Sequence, residues 1–128
     1  MKEYITTLLK KALEDYGEET QLYVENDVDD RWEEYTSIDI FSIARPNYLN
    51  VRHSLMNQGR ILEENIENNT YVVHAKVGKH RLGEAIVITH VEGNTIGIAA
   101  YAKEGLIKQH IAQKAVQQVK ESVLKNCS

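Results

Sequence analysis

The chain has 128 residues, 42% hydrophobic and 27% charged, with a formal net charge of −4. This balance is enough for one buried core and excludes a disordered, collagen-like or low-complexity chain. The longest apolar run, residues 96–102, is well short of the roughly 20 residues a membrane helix requires, so no membrane partner is expected.

The start, Met1-Lys2-Glu3-Tyr4-Ile5, has neither the apolar core nor the cleavage site of a secretory leader. With a single cysteine, Cys127, no internal disulfide is available. A single soluble domain spanning residues 1–128 in the cytoplasm is the expectation. The Asn-x-Ser/Thr triplets at Asn68 and Asn126 are discounted accordingly. The charge is unevenly placed: residues 1–64 carry seven Lys/Arg against 14 Asp/Glu, and residues 65–128 carry eight against five. Ten carboxylates fall within residues 14–34 beside one base, Arg31.

In chain order, Ile5, Leu8, Leu9, Ala12, Leu13 and Tyr16 form one helical stripe, which Gly17 is expected to stop. Residues 20–24 and 35–43, rich in β-branched and aromatic side chains, predict two strands joined by the acidic stretch 25–34. Pro46 suits the first turn of a helix. Tyr48, Val51, Leu55, Leu62 and Ile66 keep helical phase, with Gly59 in the same stripe. The alternative ends this helix near Gly59 and makes residues 60–66 a strand. From Thr70 the period becomes two, and residues 70–77, 85–91 and 95–101 predict a meander with a turn at Glu92-Gly93-Asn94. A long amphipathic helix, from Leu106 through Ile107, Ile111, Ala115, Val119 and Val123, closes the chain.

The expected class is α+β: a mostly antiparallel five-stranded sheet packed with helices, in the order α-β-β-α-β-β-β-α. In topology this order resembles roadblock-type and longin-like domains, most closely over residues 83–124, while the long acidic loop departs from the compact turn of that family. The resemblance implies a docking module that pairs through helices and sheet edges.

The candidate chemistry is sparse. Glu25, Asp27 and Asp29 alternate like calcium ligands, but neither start of the loop places a glycine sixth and a glutamate twelfth. His53, His74, His80, His90 and His110 have no metal-ligand spacing, and no cofactor or metal is expected. His74 and His90 fall on neighbouring strands, with Glu84 and Glu92 near His90 in sequence, and a small pocket with Tyr71 beneath a helix is one possible site. No serine sits in a nucleophile elbow, so no catalytic residue is assigned. Gly78-Lys79-His80-Arg81-Leu82-Gly83 lacks the Lys-Ser/Thr of a phosphate loop. Lys79, His80 and Arg81, with Lys76 close by, still make a candidate anion site. The acidic net charge argues against nucleic acid as partner.

Asp27, Asp29, Asp30 and Trp32 are the candidate partner contacts, since an aromatic amid charge suits an interface hot spot. Three functions fit these residues. The first is a non-enzymatic interaction or regulatory module that forms a homodimer or binds a protein partner. The second is an acidic inhibitor or immunity-type protein for a basic partner, and the third is a small-ligand-binding protein or enzyme.

Overall fold

The computed structural model describes residues 1–22, 31–105 and 107–127. The first apolar stripe forms helix α1 (Lys2–Thr20), burying Ile5, Leu9, Ala12 and Leu13. Gly17 does not end it. The helix runs three residues further to Thr20 and is capped by Gln21, which adopts the left-handed conformation at φ 62°. There Gln21 N–H donates to the Glu18 carbonyl and Leu22 N–H to that of Gly17, a pairing that satisfies the last carbonyls while Leu22 is buried. Of the strand expected over residues 20–24, Thr20 is therefore helical and residues 21–22 form the turn, while 23 and 24 lie outside the described residues.

A single-turn helix, α2 (Trp32–Tyr35), leads into β1 (Thr36–Ser42). Helix α3 (Tyr48–Met56) begins at Asn47, whose side chain accepts from the N–H groups of Leu49 and Asn50. It ends before Gly59, so the helix expected through Ile66 is too long, and the alternative is the one found: residues 59–65 form strand β2 (Gly59–Asn65). A Cβ on Gly59 would lie 2.0 Å from the carbonyl oxygen of His74. This glycine thus marks close strand pairing rather than a weak helical position. Strands β3 (Thr70–Val77), β4 (Gly83–Glu92) and β5 (Thr95–Tyr101) form the expected meander. Helix α4 (Ile111–Cys127) closes the chain, starting later than the sequence pattern suggested.

The class is α+β, with all strand pairs antiparallel in the order β1-β5-β4-β3-β2. The expected α-β-β-α-β-β-β-α order holds approximately: among the described residues one strand precedes α3 and four follow it. Alternation sends Val73, Ala75, Val87, Ile96 and Ile98 to one face, under α3 and α4, and Val72, Ile86, Ile88 and Ala99 to the other, under α1. Each buried Val, Leu or Ile contributes about 1.5–3 kcal/mol. With apolar layers on both faces, β3, β4 and β5 form the fixed centre, and β1 and β2 are the two edges. No helix among the described residues is long and apolar enough to cross a membrane.

Candidate functional site

The register of β1 on β5 determines which backbone groups its outer edge presents. Ile43 N–H donates to Asn94 and Ala102 N–H to Tyr35, and both bonds continue the ladder that pairs Thr36 with Tyr101. In an antiparallel ladder the hydrogen-bonded pairs alternate, so Ser37, Asp39 and Phe41 spend their N–H and C=O groups on β5. Thr36, Ile38, Ile40 and Ser42 point theirs outward. Among the described residues no strand pairs with that edge.

Side chains alternate in step with the backbone. Ile38 packs against the core beneath α1, while Ile40 next to it is 39% exposed. On the opposite face Phe41 packs on the core under α4. Lys120 of α4 donates to Asp39 at 2.8 Å, and its ammonium lies 5.2 Å from the centre of the Phe41 ring. Lys2, Thr6, Trp32 and Glu33 border an open hollow along the strand. The result is a row of unpaired backbone donors and acceptors flanked by isoleucine and by a neutralised carboxylate, which is the chemistry of strand addition.

Trp32, expected from sequence as a contact residue, belongs to this margin. It is half-buried, tilted on Tyr101 at 6.0 Å, with the Lys10 ammonium 5.4 Å from its ring centre. Asp27, Asp29 and Asp30 lie outside the described residues, as does the calcium-like alternation from Glu25.

The opposite edge, β2, carries charged side chains held by polar contacts on both sheet faces. Leu62 forms a bulge between Ile61 and Glu63. The Tyr16 hydroxyl, from α1, donates to Glu63 at 2.8 Å, and burial followed by this bond pushes its pKa up to about 12. On the other face Tyr48, from α3, donates to Glu64, which also accepts from Arg52 Nε at 2.7 Å. The Tyr48 bond and then Arg52 hold the Glu64 carboxyl below its ordinary range, against the opposing effect of burial. Tyr71 stacks near Tyr48, ring centres 5.6 Å apart, and burial raises its hydroxyl pKa.

This separates the pocket group proposed from sequence. Tyr71 faces α3, whereas His74 and His90 face α1. The two histidines are also four pairs apart along the ladder, because His90 is opposite Thr70 at its end and His74 is opposite Ile86 near its middle. His74 Nε2 lies 3.1 Å from Glu84, which accepts from Lys76 at 2.6 Å; that bond is the main cause of its lowered pKa. His90 Nδ1 contacts the Thr70 hydroxyl at 2.9 Å, its ring meets Tyr4 edge-on at 4.9 Å, and its Nε2 is 3.7 Å from Glu92. A cavity of about 170 Å³ between α1 and the sheet, lined in part by Tyr4, Lys11, Tyr16, Glu63 and Thr70, lies nearer His90.

Lys79, His80 and Arg81 do come together, exposed on the β3–β4 turn. Lys79 and Arg81 share an open cleft with Lys114 and Glu121. Arg81 Nη1 donates to the Asn57 carbonyl at 3.1 Å, and Gly78 N–H is taken by Gln118. The turn therefore ties α3 to α4, with part of its donor capacity already used.

Sequence reasoning did not single out Ile38, Asp39, Ile40 or Lys120. One signal was present: Ser37-Ile38-Asp39-Ile40-Phe41 is nearly symmetric about its aspartate. No protein-family model matches this chain, and neither a curated protein nor a solved structure matches it.

Proposed function

We propose that the chain is a small interaction module that docks through the free edge of β1 and acts as a homodimer. The observation that carries this reading is the outward backbone of Thr36, Ile38, Ile40 and Ser42 beside an exposed Ile40. An edge of this kind is a template for another strand unless it is blunted, and β1 has no bulge, proline or lysine to blunt it. The separation of acidic and basic residues along the chain adds an electrostatic element, since opposite charges steer association.

Light scattering at low and high salt, over a wide concentration range, tests the proposal. A dimer at micromolar concentration that weakens with salt is expected. A monomer at every concentration and both salts overturns it.

A further inference from the structure

We infer that two copies join through β1 about a two-fold axis at Asp39, making one continuous ten-stranded sheet. This rests on the docking reading above and adds the partner surface, the register and the charges that fix it.

The backbone limits the choices. Only Thr36, Ile38, Ile40 and Ser42 offer outward hydrogen bonds, so an antiparallel partner must oppose even residues with even residues. Centring on Asp39 pairs Ile38 with Ile40 of the second copy and Thr36 with Ser42, each twice by symmetry. All four outward residues are used, giving a ladder of about eight hydrogen bonds. Centring on Ile38 or on Ile40 leaves one outward residue of each strand without a partner inside β1.

The side chains agree with that register. Around Asp39 the strand reads Thr-Ser-Ile-Asp-Ile-Phe-Ser, so each isoleucine meets an isoleucine on the α1 face. On the α4 face Ser37 meets Phe41, small against large. Asp39 then faces its own copy at a non-hydrogen-bonded position, where like charges oppose pairing. Lys120 supplies the answer, because its ammonium already sits 2.8 Å from Asp39. Two such pairs brought together by the two-fold form a compact group of four charges with no net charge, in which each ammonium lies near both carboxylates. Lys120 is thus a determinant of self-pairing as well as an internal ion-pair partner.

Cysteine cross-linking in a Cys127→Ser background, with light scattering alongside, tests the register. Cα atoms at a non-hydrogen-bonded antiparallel pair are about 4.5 Å apart, within disulfide reach. Asp39→Cys should form a covalent dimer with itself under mild oxidation. Ser37→Cys and Phe41→Cys should cross-link when mixed and not separately.

Lys120→Gln should weaken the dimer about tenfold or more, by leaving the two carboxylates opposed, and adding Asp39→Asn should recover most of the loss. That rescue distinguishes an interface role from a folding defect, because the double variant lacks the internal ion pair as well. A dimer in which Ser37→Cys instead joins Asp39→Cys, or in which Asp39→Asn gives no rescue, overturns the Asp39 register and leaves the docking reading standing. A monomer under all conditions overturns both.

Discussion

β1 and β2 are the two edges of one sheet, seven residues each, and they are finished in opposite ways. β2 carries Arg60, Glu63 and Glu64, a bulge at Leu62, and a tyrosine clamp on each face: Tyr16 from α1 and Tyr48 from α3. β1 carries one charge, already neutralised by Lys120, and among the described residues its outer backbone is unpaired and Ile40 is exposed. Burial alone does not explain the difference, since both strands flank the same core. Carboxylates beside an open backbone repel a second strand, whereas isoleucines beside one attract it. The polar residues of β2 disfavour a second strand there, and this contrast is the ground for proposing β1 as the docking edge.

The largest expected effect that would test this contrast lies at the root of β2. Gly59→Ala places a methyl group against the His74 carbonyl, where a backbone atom cannot yield as a side chain end would. A loss of about 3 kcal/mol or more in denaturant unfolding is expected, and a loss under about 0.5 kcal/mol would mean β2 does not pair so closely. Next is Glu64→Gln, which keeps the shape but removes the charge shared by Tyr48 and Arg52. Arg52 is 39% exposed, so solvent screening limits the loss to about 1 kcal/mol at neutral pH. Because the folded-state pKa of Glu64 is lowered, its contribution is present above the ordinary carboxylate range and vanishes as pH falls through the lowered value. Unfolding curves of wild type and variant should therefore converge in acid.

Tyr16→Phe should cost less, about 0.5–1 kcal/mol at pH 7, through the lost bond to Glu63. The sign of its pH dependence is the reverse. Tyr16 is pushed up to about 12, so its stabilisation is complete below the ordinary tyrosine value near 10 and is lost between there and 12. Over that window the wild type should lose stability faster than the variant, which denaturation at stepped alkaline pH measures. Equal slopes would show that the α1 clamp on β2 is not formed.

The sequence made the centre of the sheet legible and its edges much less so, for physical reasons. Strands β3 to β5 are legible as apolar, β-branched runs bounded by turn residues, buried almost throughout because helices cover both faces of the sheet, and α4 shows its apolar stripe without interruption. In β2 the bulge at Leu62 breaks the period of two, and Leu55, Leu62 and Ile66 fall by coincidence into helical phase. Gly59 was the corrective signal, readable as a close backbone approach only once pairing with Ala75 brought the His74 carbonyl against it. Gly17 misled in the other direction, since the cap is set by the hydrogen bonds of Gln21 and Leu22 and not by the nearest glycine. The symmetry around Asp39 was visible in the sequence as letters. It acquired meaning only when topology made that strand an edge and brought Lys120, 81 residues away, onto its carboxylate.

The smallest expected effect on stability is also the sharpest test of the two edges. Ile40→Lys adds a charge to an already exposed position of β1 and should change folding stability by no more than about 0.5 kcal/mol. Its effect on assembly should be large, because the ammonium would stand beside the backbone groups that a second strand needs, as natural edges use lysine to refuse one. A weakening of about a hundredfold in the dimer dissociation constant is expected by sedimentation velocity. Ile66→Lys is the matched control: Ile66 is more exposed, at 66%, but sits in the turn beyond β2. Both variants make the same chemical change, so surface hydrophobicity in general would predict equal effects, and edge pairing through β1 predicts that only Ile40→Lys yields monomers.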